Sequence, residues 1–507
     1  MTLPPLQLVQ VTGIQMLLYL LLPAWTLVRF RWRDAGEVLF AALVAGLASA
    51  ALWGRVCNGS GIGMAPATAI WIGAWIGAGA WVRWKKRAAE PLRWDGVLAA
   101  ILLLAWAVRM LHPLQTWALG QSDAYSHLGF LRDVLENGQV GNGDYPPAYS
   151  WVLAFPAWLL HGHPYWMARF GGAFFGAGLA LGAYALLAQI RGRAAGLAAA
   201  ALVAGCPVFV LLQKTGVGCF ANQLGLFLIP AALWAYASGR RGWLAFALAA
   251  LAVAVPMMLL HAALLLAILV LTDRDAGRAR FVWLGILALA VGWLKRAAAW
   301  RLVGAWGLLT SVNVHLGLFQ FTNYQREGWS LLLAAAALGA LVFDVLWRTW
   351  ASRNGRSFLG VGLAAVSLAG LALPPEHVPA MGTAESDVVR FLLSLDPEAA
   401  VLARNMSGFE SGQGDVVRTL HPNVLPDVAA LAAVRGPAFF LRDRPAPEPR
   451  ISPITKILQP GLAAESERTL KKAEADNRRL EEQLAGFAIR KMEYSRHLEV
   501  WQIRPEP

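Results

Sequence analysis

The stretch Gly36-Glu-Val-Leu-Phe-Ala-Ala-Leu-Val-Ala-Gly-Leu-Ala-Ser-Ala-Ala-Leu-Trp53 carries a single charged residue, Glu37, and that residue lies at its start. Charged residues flank the stretch on both sides, at Asp34 and Arg55. A helix of this length rises roughly 27 Å at about 1.5 Å per residue, which approaches the ~30 Å thickness of a bilayer core. The stretch therefore predicts a helix that spans a membrane.

Apolar runs of similar length recur along the chain. Of its 507 residues, 57% are hydrophobic and 15% are charged, and the mean hydropathy is +0.49. These values exclude a disordered chain and an ordinary soluble protein. Residues 1–373 are therefore predicted to form an all-α polytopic membrane bundle of about twelve transmembrane helices. We expect the spans near residues 7–29, 36–53, 61–82, 96–111, 165–189, 194–212, 224–238, 242–256, 258–272, 281–295, 329–347 and 357–373.

The net charge of +13 is compatible with nucleic-acid binding, but its distribution favours a membrane. Residues 374–507 contain 17 Lys and Arg against 19 Asp and Glu, whereas the whole chain contains 44 against 31. The basic excess therefore belongs to the membrane part, where short loops such as 29–33 and 83–87 carry it. The positive-inside rule places these loops in the cytoplasm and residues 112–163 outside. We expect contact with membrane lipids and no nucleic-acid partner.

A soluble domain is predicted after Pro374-Pro375, where the composition changes. The pattern of short buried strands, helices and a closing strand or hairpin indicates a small extracytoplasmic α/β domain over residues 374–507. The expected strands are 400–403 and 438–441, the helices 385–395 and 424–434, and the closing strand or hairpin 487–503.

The loop 112–163 is the longest part of the bundle that is too polar to cross a bilayer. It contains Gln121-Ser-Asp-Ala-Tyr-Ser-His127, where Ser122 is a suitable N-cap for a helix that Asn137-Gly138 ends. Helical periodicity places Asp123 and His127 on the apolar face of that helix. An acid and an imidazole there indicate a functional site; the alternative is a capped amphipathic helix whose Asp only favours the helix dipole. A second helix, at 148–161, is expected to lie at the membrane interface on the outer side.

Further polar residues are predicted on the same outer side. A second acid, Asp144, follows in Asp-Tyr-Pro-Pro, and two carboxylates suit either general-base chemistry or a divalent metal. Lys214, His261 and Arg326 lie at predicted outer helix ends or loops, where cations suit a lipid phosphate. The alternatives are a snorkelling end-cap for Lys214 and a satisfied buried histidine for His261.

The motifs Ser-Asp-Ala-Tyr-Ser-His-Leu and Asp-Tyr-Pro-Pro-Ala-Tyr resemble the first large extracytoplasmic loop of membrane glycosyltransferases with the GT-C fold. The resemblance is greatest to the bacterial members that carry Asp-Ala-x-x-His followed by Tyr-Pro-Pro. It covers about forty residues; the rest is similar only in layout, with three additional spans before the loop.

The resemblance implies an inverting transfer of a sugar from a polyprenyl-phosphate donor to a glycan, lipid or protein acceptor. Asp123 would be the essential acid, with His127 and Asp144 beside it, and Tyr125 and Tyr145 would bind substrate together with Lys214, His261 and Arg326. Any Mg²⁺ or Mn²⁺ would be held by Asp123 and Asp144, although metal dependence stays open. The expected location is the bacterial inner membrane, with the site and the C-terminal domain outside. The alternative functions are a flippase for a polyprenyl-linked glycan, a polysaccharide polymerase or ligase, and a non-catalytic assembly subunit.

Overall fold

The structure is a computed structural model that describes most of the chain. The described residues are 5–85, 93–117, 119, 124–141, 146–206, 220–256, 258–259, 262, 265, 324–350, 353–372, 381–402, 417, 420–434, 436–443, 475, 478–495 and 498–504.

Helices make up most of the described chain. The first ones are α1 (Pro5–Gln15), a π-helical segment (Met16–Leu21), α2 (Leu22–Leu27), α3 (Ala35–Ser60), α4 (Met64–Lys85), α5 (Gly96–Gln115), α6 (Ala124–Asn137) and α7 (Ala148–Leu160). The later ones are α8 (Pro164–Arg191), α9 (Arg193–Gly205), α10 (Phe220–Ala237), α11 (Arg241–Ala254), α12 (Tyr324–Thr349), α13 (Arg353–Leu368) with a 3₁₀ turn (Ala369–Ala372), and α14 (Met381–Ser394).

Several helices are apolar enough to cross a membrane. Within the described ranges, four reach spanning length and composition: Leu6–Leu27, Ala35–Ser60, Met64–Lys85 and Pro164–Arg191. Shorter apolar helices accompany them, among them Gly96–Leu111 and Arg193–Gly205. A helical membrane protein is therefore supported, while the count of twelve spans stays a prediction. The expected spans 258–272 and 281–295 lie largely or wholly outside the described residues.

Helix α3, which contains the stretch quoted first, has a clear signal at each end. Asp34 is its N-cap, and its Oδ1 accepts a hydrogen bond from the Glu37 N–H at 2.8 Å. Gly61 ends the helix with φ = +67°, and its N–H donates to the Cys57 carbonyl. An acidic N-cap satisfies an N–H that has no intrahelical partner, and glycine adopts the left-handed conformation without a Cβ penalty. Local sequence therefore determines where this helix begins and ends.

Charged residues gather at one end of the helical bundle, called here the ionic end. The arginines among them come from loops that the positive-inside rule assigns to one side of the membrane. The pairs are Arg193 with Asp95 at 2.6 Å, Arg240 with Glu37 at 3.3 Å, and Arg191 with Asp344 at 3.6 Å. Loops predicted to share one side thus lie together in the structure.

The interior of the bundle is aromatic. The Tyr19 hydroxyl donates to the Val152 carbonyl, and a Cβ on Gly46 would lie 2.5 Å from the Tyr19 carbonyl oxygen. The Trp71 and Phe155 rings stack with centroids 5.4 Å apart. Glycine at position 46 therefore allows α3 to approach the π-helical segment, whose hydrogen bonding is locally irregular.

Two compact units contain the described residues. The first unit consists of those within 1–110, 133–213 and 220–373, and the second of those within 111–132 and 374–507. The expected loop 112–163 is thus divided, since its first part belongs with the C-terminal residues.

Helix α7 is present where the sequence analysis expects a helix at the membrane interface. All its residues from Ala148 to Ala157 are buried in the first unit. Its surface is covered by protein along most of its length, so it packs as part of the bundle.

The C-terminal residues form a mixed five-stranded sheet in the order β2-β1-β3-β5-β4. Strand β1 pairs in parallel with β2 and β3, and β5 pairs antiparallel with β3 and β4. Phe440 packs edge-on against Trp501 in the buried core, with centroids 5.5 Å apart. The strands are β1 (Ala400–Leu402), β2 (Val424–Leu425), β3 (Ala438–Asp443), β4 (Ala488–Glu493) and β5 (Leu498–Arg504).

Most of the expected elements of this domain are confirmed, and one is wrong. The strands at 400–403 and 438–441, the helix at 385–395 and the closing hairpin are all present. The predicted helix at 424–434 instead starts as strand β2, and only Ala429–Ala433 is helical, as a 3₁₀ turn. Val424-Leu425 is too short to have a period of its own, and pairing with β1 decides its conformation.

Candidate functional site

Helix α6 carries the only two predicted site residues whose side chains the structure describes, Tyr125 and His127. Both are buried, with 0% and 3% of their surfaces exposed. The His127 ring meets the Phe130 ring edge-on at a centroid distance of 6.1 Å. The helix ends at Asn137, and Gly138 adopts φ = +71°, as the Asn-Gly signal predicts. The imidazole therefore lies on the apolar face, as expected from the helical period.

The chain just before α6 is held by two hydrogen bonds within the second unit. The Trp117 N–H donates to Ser386 Oγ at 2.9 Å, and Ser386 lies in α14. The Leu119 N–H donates to the Tyr125 hydroxyl oxygen at 3.3 Å, and Leu119 is itself buried. The segment that leads into the motif is therefore attached both to the C-terminal domain and to α6.

The other predicted site residues cannot be placed. Asp123, Asp144, Tyr145, Lys214 and His261 lie outside the described residues, and Arg326 is in the first turn of α12 without a described side chain. Among the described residues, no group of three or more His, Cys, Asp or Glu side chains forms a candidate metal site. Since both predicted metal ligands fall outside that part of the chain, the metal hypothesis stays a prediction.

Polar side chains that were not among the predicted site residues lie inside the first unit, three of them buried and one, Gln223, half-buried. We call Gln15, Arg169, Asn222 and Gln223 the polar belt. Gln15 ends α1, Arg169 lies in the second turn of α8, and the other two lie in the first turn of α10. Gln15 is fully buried, whereas Arg169 and Asn222 are 5% and 3% exposed.

Two adjacent glycines of α8 bring the belt's amides close to its backbone. Gln15 Nε2 donates to the Gly171 carbonyl at 3.5 Å, and a Cβ on Gly172 would lie 3.4 Å from Gln223 Oε1. In the part of the chain that the structure describes, the side-chain oxygens of Gln15 and Gln223 accept no hydrogen bond. Amide oxygens inside an apolar bundle are costly unless they bind a donor. The belt therefore offers acceptors to a ligand that carries hydroxyl groups.

Arg169 supplies the positive charge of the belt. Its guanidinium lies 5.2 to 5.8 Å from the ring centroids of Tyr165, Trp166 and Phe170, and its Nη1 donates to the Tyr165 hydroxyl at 3.3 Å. Aromatic faces stabilise a cation by their quadrupole, which partly offsets the cost of burying the charge. Arg169 precedes Tyr184, near the ionic end, by 15 residues, or about 22 Å of helix. The belt thus lies well away from the ionic end.

A second arginine, Arg109, caps a neighbouring helix. Its Nη1 donates to the Ala204 carbonyl at 3.0 Å, and its Nη2 donates to the Val203 carbonyl at 2.9 Å. These carbonyls belong to the last turn of α9, which ends at Gly205. The last carbonyls of a helix have no intrahelical partner and carry partial negative charge, so a guanidinium stabilises them. Arg109 thereby fixes the end of the helix after which the chain runs on to Lys214.

The sequence held a signal for both arginines. Each lies in a predicted span, 96–111 or 165–189, near the end assigned to the outer side, where the positive-inside rule disfavours cations. Ionisable residues inside spans indicate functional sites by default. Arg109 and Arg169 therefore share the feature that makes Lys214 a candidate, a cation near the predicted outer end of a span.

Comparison with known proteins adds no relative: no protein-family profile matches the chain, and no curated protein matches it either.

Proposed function

We propose that the chain is a membrane glycosyltransferase of the GT-C type. It would transfer a sugar from a polyprenyl-phosphate-linked donor to an acceptor on the outer face of the membrane, in the assembly of a cell-envelope glycan or glycoconjugate. The motifs around Asp123 and Asp144 suggest this chemistry, and the polar belt is the structural observation that supports it best.

The belt suits the three parts of such a donor. The amides of Gln15, Asn222 and Gln223 can hydrogen-bond sugar hydroxyls, and the guanidinium of Arg169 can bind a phosphate through two parallel N–H donors. The apolar side chains around them suit a lipid chain.

The reaction would be a single displacement. An acceptor oxygen forms a bond to the anomeric carbon while the bond from that carbon to the phosphate oxygen breaks, with inversion. Asp123 would take the acceptor's proton, His127 would orient the acid or the acceptor, and cations would stabilise the departing phosphate. If the reaction uses Mg²⁺ or Mn²⁺, Asp123 would instead hold the ion together with Asp144, and the ion would supply further charge neutralisation at the phosphate.

We further propose a multi-pass placement in a bacterial inner membrane. The ionic end would face the cytoplasm because it gathers the basic loops, which the positive-inside rule keeps there. Residues 112–163 and 374–507 would then be extracytoplasmic.

A flippase for a polyprenyl-linked glycan is the second candidate. Gln15 favours it, because this buried amide lies within the candidate span Leu6–Leu27, and transporters place polar groups inside their spans. A flippase would move the lipid-linked glycan across the membrane without forming a new glycosidic bond.

The test is transfer of radiolabelled sugar from a panel of polyprenyl-phosphate donors in membranes that contain equal amounts of each variant. We expect labelled product with the wild type. With Asp123→Asn, we expect the amount of product to fall by about 100-fold or more. Asp133→Asn is the matched control, since this acid of α6 accepts a hydrogen bond from the Gly141 N–H at 3.1 Å, which the amide oxygen can keep. Equal product from Asp123→Asn and the wild type would refute the assigned acid. Movement of the donor lipid across the membrane without sugar transfer would support the flippase. Loss of transfer when a chelator is added would show that the reaction needs a divalent metal ion.

A further inference from the structure

The hydrogen bond between Trp117 and Ser386 joins residues 269 positions apart in the sequence. Trp117 follows α5 and precedes the motif, whereas Ser386 belongs to the C-terminal domain. Both lie in the second unit. The donor is a backbone N–H and the acceptor a side-chain hydroxyl, so the bond depends on the residue at position 386 but not on the side chain at position 117.

The position of Ser386 is set by the packing of α14 on the sheet. Val388 and Leu392 of this helix are buried, and Phe391 packs edge-on against Phe439 of β3 with centroids 5.6 Å apart. The Ser495 hydroxyl donates to Asp387 Oδ2 at 2.5 Å, which ties the helix to the turn between β4 and β5. Ser386 is therefore presented by a helix that the core of the domain holds in place.

A second hydrogen bond joins the chain before Asp123 to helix α6. The Leu119 N–H is bound to the hydroxyl of Tyr125, a fully buried residue of α6. The six-residue stretch from Gly120 to Tyr125 contains Asp123. The described residues that flank Asp123 in the sequence, Leu119 and Tyr125, are thus joined to each other, and Trp117 is joined to Ser386.

We propose that Ser386 is a positioning residue for the loop that carries Asp123, and that the C-terminal domain thereby sets the catalytic efficiency of the enzyme. This inference rests on the proposed function. Small displacements of a catalytic group reduce the rate of the chemical step strongly while they leave substrate binding largely intact. Ser386 touches no reacting atom in this scheme and acts only through the backbone of Trp117.

Three variants of the full-length protein test it. Ser386→Ala removes the acceptor, Ser386→Thr keeps a hydroxyl, and Ser394→Ala is the matched control on the same helix, where the hydroxyl donates only to the Phe391 carbonyl of its own helix at 2.7 Å. In the transfer assay we expect kcat to fall about 3- to 10-fold in Ser386→Ala, as one lost hydrogen bond predicts. KM should stay within about twofold. Ser386→Thr should restore most of kcat, and Ser394→Ala should match the wild type.

Amide hydrogen exchange gives a second readout that needs no activity. In Ser386→Ala, we expect peptides covering 117–128 to exchange faster than in the wild type, with no such change in Ser394→Ala. If exchange is faster in Ser386→Ala but the wild type transfers no sugar, the hydrogen bond between Trp117 and Ser386 is supported and the proposed function is refuted. Unchanged exchange and unchanged kcat in Ser386→Ala would refute the positioning role, as would an equal loss in Ser394→Ala.

Discussion

The side chain of Arg109 crosses α8 directly over Gly176. A Cβ placed on Gly176 would lie 1.8 Å from Cδ and 1.9 Å from Nε of Arg109, closer than any non-bonded atoms approach. The same arginine donates hydrogen bonds to the carbonyls of Val203 and Ala204. The absence of a side chain at position 176 is therefore what allows Arg109 to reach the end of α9.

Gly176→Ala should displace Arg109 from these carbonyls. Overpacking at a buried site costs about 1–3 kcal/mol, and the helix end loses its cation in addition. We expect a lower Tm, measured in one detergent at one scan rate. Gly77→Ala is the control, because no heavy atom lies within 4 Å of the Cβ it would add. Equal Tm values for the two variants would contradict the close crossing.

Gln15→Leu separates a structural from a functional role for the polar belt. Gln15 is fully buried, and its one described hydrogen bond, to Gly171, is long at 3.5 Å. Replacing a poorly satisfied buried amide by an apolar side chain of similar size should leave stability unchanged or raise it slightly. A ligand-binding role predicts that sugar transfer falls at the same time. Unfolding temperature and the KM for the donor, measured on the same preparation, check both expectations; a lower Tm with normal transfer would mean that Gln15 serves the fold.

Local signals in the sequence were enough to predict part of this structure. The end of α6 follows from Asn137-Gly138, and the burial of His127 follows from the helical period of α6. The closing hairpin of the C-terminal domain follows from alternation between Phe487 and Ile503. In each case, residues within a few positions of one another determine the outcome.

Long-range pairing explains what could not be predicted. Val424-Leu425 is a strand only because β1 lies beside it. The bond from Trp117 to Ser386 has no counterpart in spacing or composition, since a backbone donor carries no sequence signal. The belt lies between these cases: its residues are visible as polar positions in apolar runs, but only the packing of α1 and α10 on α8 brings Gln15 and Gln223 to the adjacent residues Gly171 and Gly172.

The ion pair between Asp95 and Arg193 predicts a dependence of stability on pH. Arg193 Nε and Nη2 donate to the two carboxylate oxygens at 2.6 and 3.0 Å, and these hydrogen bonds hold the pKa of Asp95 below its ordinary value. A lowered pKa in the folded state means that the carboxylate stabilises the fold above the unfolded pKa of about 3.9. That contribution is lost as pH falls through the folded-state pKa. The Tm difference between wild type and Asp95→Asn should therefore be present at pH 6 and shrink below about pH 4; a constant difference would contradict the pairing.

Arg169 is the residue of the belt whose replacement should change donor binding most. A guanidinium binds phosphate through two N–H donors in one plane, whereas a lysine ammonium offers a single point charge. We therefore expect the KM for the polyprenyl-phosphate donor to rise about tenfold or more in Arg169→Gln, since a charged hydrogen bond contributes roughly 1.5–3 kcal/mol. Arg169→Lys should have a donor KM between those of the wild type and Arg169→Gln. The KM for the acceptor should not change.

Arg55→Gln is the control for this measurement, because it removes an exposed arginine from the last turns of α3 and leaves the buried charge in place. Any general effect of lowering the net charge, such as weaker attraction to anionic lipid, would appear in both variants. A rise in donor KM confined to Arg169→Gln assigns phosphate binding to the belt. An equal rise in donor KM in Arg169→Gln and Arg55→Gln would mean that Arg169 acts only through the protein's overall charge. The donor phosphate would then have to be bound by the cations of the predicted outer loops, Lys214, His261 and Arg326.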